Sequence, residues 1–439
     1  MPWQTEGDPV STPQSVWRTA AHPTAITGSM IRVPLSQVAI GEVCLIQAGP
    51  ADEHPLGCGT VVAVENGQAS VGLLQDSSGL SLQCIVMPTG RPPVINASLA
   101  VLGSVLDGRG EEVERLAPAA IAPPIRLSLN GRGTDYRQRR PIDMPLCTGV
   151  RAIDGLLTCG EGQRVGIFAG AGAGKTTLTE MLLDNADVDV CVVALIGERG
   201  REVATLVERL RHSAHAARMV VVQATSDTAP ALRCQSALLA TTLAEYFRDQ
   251  GQRVLLVMDS ITRYARALRE LALGAGEPPA RRGFPASVFE ALPRLLERGG
   301  RSTTGSITAF YTVLLEDEQE ADPVGEEVKS LLDGHIYLSS RLAGRGHFPA
   351  VDVLRSGSRL FAQLASAGQH QQAERIRSLL GTLDDLQLMR ELGEYKPGVS
   401  AIYDAAVAAE PALMAFLRQS VAEHSPMEAT LGGMHAIAS

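Results

Sequence analysis

The chain has 439 residues, 45% hydrophobic and 20% charged, with 39 basic against 48 acidic residues and a net charge of −9. That length allows two or three domains and a sizeable core. The acidic balance argues against a broad nucleic-acid grip, which needs dense Lys and Arg cover.

In chain order, residues 1–30 are polar and aperiodic and are expected to form a flexible tail. They carry no basic segment followed by an apolar one, so no targeting signal is expected. Residues 31–107 hold short apolar runs, such as "EVCLIQAG" and "GTVVAVENGQASVGLL", broken by Gly, Asn and Asp, with "ENGQ" as a hairpin turn. This spacing predicts a small N-terminal β-barrel. A Pro/Gly/Arg-rich connector opens residues 108–359, where strands and helices then alternate. The strands are "RVGIFA", "VCVVALIG", "RMVVVQA", "RVLLVMDS" and "SITAFYTVLL", and the first four each precede a helical pattern. Such runs predict an α/β domain whose parallel sheet is covered on both faces. Leu271 to Pro285, rich in Gly and Pro, is expected to be a loop. Residues 360–439 read as a helical C-terminal domain. No apolar run approaches the roughly 20 residues needed to cross a bilayer. The seven cysteines (44, 58, 84, 147, 159, 191 and 234) form no C-x-x-C pair and read as buried thiols in a reducing compartment.

Three motifs carry chemistry. Ala169 to Thr176, "AGAGAGKT", matches the phosphate-binding loop G-x-x-x-x-G-K-[ST] except at its first position. Gly170, Ala171, Gly172, Ala173 and Gly174 would turn backbone N–H groups toward phosphates. Lys175 would reach the β and γ phosphates, the Thr176 hydroxyl would bind Mg²⁺, and Thr177 is expected among the nucleotide-binding residues. "RVLLVMDS" ends in Asp259, a carboxylate at the sheet edge that could hold Mg²⁺ through water or simply cap a helix. "IGERGREV" places Glu198 at the same edge, as a base for the attacking water or as a solvated turn residue.

These pieces in this order resemble the RecA-like rotary and secretion ATPases. The strings "GVRAIDGLLTCGEGQR", "GERGREV", "DSITRYARALRE", "GFPASVFEALPRLLERGG" and "DGHIYLSSRLA" narrow the likeness to the type III secretion ATPases, over residues 33–417. "LLTCGEGQR" is closer to the injectisome branch than to the flagellar one. The resemblance implies an ATP- and Mg²⁺-dependent homohexameric translocase on the cytoplasmic face of the inner membrane. It would contact stalk and stator proteins, the export gate and chaperone–substrate complexes, with no nucleic acid. It also implies that Arg359 is an arginine finger for the neighbouring subunit and that Phe348 packs on adenine. Arg199 and Arg263 would line the site, and Arg281 and Arg282 would face a central pore. Each has a plainer alternative as a surface, core or ion-paired residue. Ala169 and Thr176 depart from the commoner residues of the pattern.

Two other uses of the same core stand beside this one. Rotary synthase heads largely divide catalytic glutamate and finger between two subunit types, whereas Glu198 and Arg359 are in one chain. A hexameric RNA helicase needs an RNA-binding barrel with aromatics, and residues 41–107 contain no Phe, Tyr or Trp.

Overall fold

The computed structural model describes residues 19–49, 54–131, 135–317 and 322–438. They cluster into two compact units, one ending at Pro93 apart from Ala229–Ala231 and Gly274–Gly276, the other holding the rest from Val94 onward.

In the first unit the short apolar runs become six strands: β1 (Ala25–Thr27), β2 (Met30–Val33), β3 (Val43–Gln47), β4 (Gly57–Glu65), β5 (Gln68–Leu73) and β6 (Ile85–Pro88). They pair antiparallel in the order β1-β2-β5-β4-β3-β6. Ala21 exchanges backbone hydrogen bonds with Val86 at 3.2 and 2.9 Å, joining the chain before β1 to β6. The core is aliphatic: Ile31, Val33, Ile46, Val71, Leu73 and Val86 are fully buried. Asn66 and Gly67 take φ of 49° and 74° between β4 and β5. Positive φ at both central residues is what a two-residue hairpin turn requires to match strand twist.

The expected tail is shortened by this sheet. Residues 19–30 run into it, and Thr24 N–H donates to Arg32 O at 2.8 Å. A three-residue strand such as β1 is too short to show alternation, so the sequence gives no sign of it. Residues 1–18 of that tail lie outside the described residues.

The first unit also ends short of residue 107. In the second unit β7 (Val94–Ala97) pairs with β10 (Ile125–Ser128) as a separate ribbon, while β8 (Ser104–Leu106) and β9 (Glu112–Arg115) extend the central sheet. A three-residue apolar run reads the same in a barrel as on the edge of a parallel sheet.

The second unit continues with α1 (Arg151–Leu156), β11 (Arg164–Ala169), α2 (Lys175–Asn185), β12 (Val190–Glu198), α3 (Gly200–Arg211), β13 (Met219–Thr225) and α4 (Pro230–Asp249). Then come β14 (Arg253–Asp259), α5 (Ile261–Ala275), α6 (Ala286–Leu296), β15 (Gly300–Arg301), β16 (Ser306–Leu314), α7 (Pro323–Leu331), β17 (Gly334–Leu338), α8 (Ser340–Gly344) and β18 (Val351–Ser358). The sheet order is β18-β17-β11-β16-β14-β12-β13-β8-β9. From β17 to β8 every pairing along that path is parallel; β9 and β18 close the edges antiparallel. Central strands β12 and β14 are buried almost throughout because helices cover both faces. On α3, Val203, Leu206, Val207 and Leu210 repeat at three- and four-residue spacing and form its buried stripe. The region expected to loop from Leu271 is helical as far as Ala275. Leu271 and Ala272 are buried on α5, and that burial outweighs the cost of Gly274 in its last turn.

Helices α9 (Phe361–Leu364), α10 (Ala367–Glu391), α11 (Ala401–Leu417) and α12 (Met427–Ala438) complete the chain. Ser366 and Ser400 cap α10 and α11 through their hydroxyls. Gln419 ties this region to the turn before α1: its Nε2 donates to Gly149 O at 2.6 Å and its Oε1 accepts from Arg151 N at 2.9 Å. Beneath that turn Asp154 is fully buried, accepting from Thr148 N (2.9 Å), Thr148 Oγ1 (2.6 Å) and Gly149 N (2.9 Å). Burial pushes its carboxyl up to about 6 against these lowering bonds.

None of the seven cysteines forms a disulfide, and Cys44, Cys84, Cys159, Cys191 and Cys234 are buried. No helix among the described residues is long and apolar enough to cross a membrane.

Candidate active site

The loop between β11 and α2 is built on two left-handed glycines. Gly172 and Gly174 have φ of 74° and 86°, a region that L side chains enter only with strain. A Cβ at Gly172 would meet nothing within 4 Å, so conformation alone calls for glycine there. At Gly174 a Cβ would also come within 3.0 and 3.2 Å of the Phe348 ring. The half-buried Phe348 therefore lies directly against the loop. Ala169, the departure from the motif, is the last residue of β11 and is 1% exposed, in a strand position that needs no glycine. Gly174 is the N-cap of α2, Ala171 and Gly172 are exposed, Ala173 is buried, and Thr176 is exposed in the first turn. First-turn N–H groups of a helix have no intrahelical acceptor and favour an anion.

Parallel strands bring the other two motifs to the same edge. Leu195 is in register with Asp259, so β12 and β14 end side by side. β12 bulges between Ile196 and Glu198, with Gly197 at φ 68°. A bulge re-aims the side chain that follows it, and Glu198 points back to Lys175. Lys175 Nζ lies 3.1 Å from Glu198 Oε1 and 2.6 Å from Asp259 Oδ1. Arg263 on α5 completes the cluster, its Nε 3.2 Å from Glu198 Oε1. Glu198 and Asp259 are 3% and 7% exposed, so two carboxylates and two cations share a nearly dry space. Burial raises the Asp259 carboxyl, Lys175 opposes that, and Glu198 adds to it; the net direction is upward. For Lys175 burial alone would lower the ammonium, but Asp259 and Glu198 outweigh it and the shift is upward.

Thr312 was not anticipated. It lies on β16, the strand between β11 and β14, and its Oγ1 donates to Asp259 Oδ1 at 2.7 Å. Its signal was a hydroxyl inside the apolar run "SITAFYTVLL". The carboxylate of Asp259 and the hydroxyl of Thr176 are hard oxygen donors of the kind Mg²⁺ prefers, so the donor set fits that ion.

Two expected residues stand apart from the cluster. Arg199 is exposed at the N-cap of α3, its guanidinium 3.8 Å from Glu202. Arg359 is exposed just after β18. Ser358 pairs with Gly334, which is in register with Val165 at the start of β11. Arg359 thus sits at the opposite sheet edge, about 20 Å from the loop by the length of a six-residue strand. Arg281 and Arg282 lie in a tight turn, Arg281 stacked 5.3 Å over Phe289 and Arg282 at φ 45°. A separate cavity of about 860 Å³ lies between α8, β18, α10 and α11, lined by residues that include His347, Val353, Leu383 and Met414.

Comparison with known proteins gives two family matches. Residues 149–358 match the nucleotide-binding domain of the ATP synthase alpha/beta family, and residues 365–436 match the C-terminal domain of the type III secretion ATPase EscN. The SPI-1 type 3 secretion system ATPase of Salmonella typhi is 50% identical over 418 residues, covering 95% of this chain and 97% of the other. The assembled ATPase EscN of enteropathogenic E. coli superposes with a TM-score of 0.88 at 40% identity, covering 95% of this chain and all of that one. EscN in complex with its central stalk EscO superposes with a TM-score of 0.84 at 39% identity, with the same coverage.

Proposed function

This chain belongs to the type III secretion system ATPases, ATP-hydrolysing enzymes, and on that premise we propose that hydrolysis occurs where Lys175, Glu198 and Asp259 meet. The observation that carries the proposal is the single lysine at the start of α2, held between two buried carboxylates at the ends of β12 and β14. The backbone N–H groups of residues 170–177 cradle the phosphates, and Lys175 turns from its carboxylates to the β and γ oxygens. Thr176 and Asp259 would hold Mg²⁺, which would supply charge neutralisation at the phosphates. Glu198, steadied by Arg263, accepts the proton of the attacking water. Phe348 lies against the loop where the adenine ring stacks.

Arg359 acts on the neighbouring subunit's site, since its own loop is a strand length away. The working form is a homohexamer, supported by the likeness to assembled EscN. A stalk protein docks in its centre, supported by the likeness to EscN bound to EscO, and the turn carrying Arg281 and Arg282 faces it. Stator proteins, the export gate and chaperone–substrate complexes complete the partners. The chain works peripherally at the cytoplasmic face of the inner membrane, releasing and unfolding substrates for export.

The test is Glu198→Gln. The amide keeps the size of the side chain and removes the base, so ATP affinity should hold within a few-fold while turnover falls about 100-fold or more. Normal turnover at saturating ATP removes Glu198 from the chemistry.

A further inference from the structure

Gln163 is fully buried in the turn that leads into β11. Its Oε1 accepts the Gly160 N–H at 2.8 Å. Its Nε2 donates to Asp333 O at 3.2 Å and to Ser358 Oγ at 3.0 Å. Both amide hydrogens and the carbonyl are therefore used, and flipping the amide would set a carbonyl against the Asp333 carbonyl. The two acceptors converge on the approach to one residue. Ser358 immediately precedes Arg359, and the Asp333 carbonyl also accepts the Arg359 N–H at 2.8 Å.

The surroundings leave this amide little room to move. A Cβ on Gly334 would come within 3.1 Å of Gln163 Nε2 and 3.3 Å of Gly357 O. Arg164, next in sequence, grips Asp333 from its other side, Nε to Oδ2 at 3.0 Å and a terminal nitrogen to Oδ1 at 3.2 Å. Three segments distant in sequence thus meet at Gln163: its own turn, the start of β17 and the end of β18. The Arg359 side chain is exposed, so the point from which it reaches out is set by its backbone.

We infer that Gln163 is a positioning residue for Arg359, fixing the backbone that leads into the arginine offered to the next subunit. This rests on the proposed action of Arg359 across the interface. Gln163 lies at the start of β11 and its own phosphate loop at the far end, so the site it serves is the neighbour's.

The experiment uses two chains, each strongly impaired alone, and reads hydrolysis above the sum of the two. Glu198→Gln keeps its finger but has a dead site; Arg359→Ala keeps its site but has no finger. Mixed, they should regain hydrolysis at interfaces where the first chain's Arg359 meets the second chain's Glu198. No recovery on mixing overturns the trans reading of Arg359, and the role of Gln163 falls with it. Given recovery, Gln163→Ala is placed in one chain at a time. In the finger-donating Glu198→Gln chain it should lower kcat of the mixture about tenfold or more with KM for ATP unchanged, because misplacing a group by an ångström costs on the order of 100-fold. In the site-donating Arg359→Ala chain it should change kcat less than about twofold. Equal losses in both chains would mark a merely structural residue, and no loss in either would leave Arg359 positioned without it; both results overturn the inference. Ser358→Ala, which removes one acceptor and leaves the buried amide in place, is run in the same two arms. It should show the same asymmetry, and a symmetric effect counts against the inference should Gln163→Ala fail to fold.

Discussion

The ammonium of Lys175 lies 2.6 Å from Asp259, 84 positions later in the chain, and 3.1 Å from Glu198. One cation thus serves two carboxylates that are both almost fully buried. Removing it costs stability as well as activity.

Lys175→Ala should reduce ATP turnover about 100-fold or more, through lost charge stabilisation. It should also destabilise the second unit by roughly 3–5 kcal/mol, the usual cost of orphaning a buried charge. Adding Asp259→Asn to that variant removes the stranded carboxylate and should recover part of the stability with none of the activity. Denaturant midpoints and ATPase rates for the three proteins check this. A Lys175→Ala protein as stable as the parent would mean that the cluster is stabilised from elsewhere.

The two loop glycines should respond differently to a methyl group. Gly172→Ala meets only conformational strain, about 1–2 kcal/mol for a left-handed L residue. Gly174→Ala adds contact with the Phe348 ring and should cost more, with a larger loss of nucleotide affinity. Phe348→Ala should relieve part of the Gly174→Ala penalty and none of the Gly172→Ala penalty. Additive behaviour of Phe348 and Gly174 in this double-mutant cycle would show that their contact carries no energy.

Hydrolysis per subunit should rise with protein concentration, because a lone chain holds Arg359 at the wrong edge of its own sheet. Arg359→Ala should assemble and bind ATP, yet hydrolyse at least about tenfold more slowly. Sedimentation and ATPase rate measured on the same dilution series decide it. A specific activity that is flat across assembly excludes a shared site.

The buried Asp154 predicts a pH signature. Its carboxyl is raised from 3.8 to about 6, so its contribution is fully present below pH 3.8 and is lost as pH rises through 6. Asp154→Asn does not titrate and should therefore gain on the parent between about pH 4 and pH 7. The upper bound is about 3 kcal/mol, two pKa units at 1.36 kcal/mol each. Unfolding midpoints of both proteins at pH 4.5 and 7 give the comparison. A constant difference across that range would place Asp154 outside the pH response.

What the sequence made legible was whatever depends on local pattern. The β11–loop–α2 unit could be read because an apolar strand, left-handed glycines and a lysine at the helix start are contiguous. Asp259 and Glu198 could be placed because parallel strands must end at a common edge. Features set by pairing partners were hidden. β1 exists because Ala25–Thr27 finds Met30–Val33, and its three residues carry no period of their own. β8 leaves the expected barrel because Val220–Val222 of β13 offers it a parallel neighbour. Thr312 joins the cluster only because β16 runs between the two functional strands. The contact of Phe348 with Gly174 spans a sequence distance that no local rule covers.

The buried thiols give each unit its own clock. Cys44 and Cys84 belong to the first unit, and Cys159, Cys191 and Cys234 to the second. Burial pushes Cys44, Cys191 and Cys234 each up to about 12, far from thiolate at neutral pH. A modifying reagent can reach them only when the surrounding core opens. The rate at which each is labelled, resolved by peptide mass, therefore reports how often its own unit unfolds. The native chain already carries the probes needed to ask whether the units open together or one at a time, and whether nucleotide slows only the second.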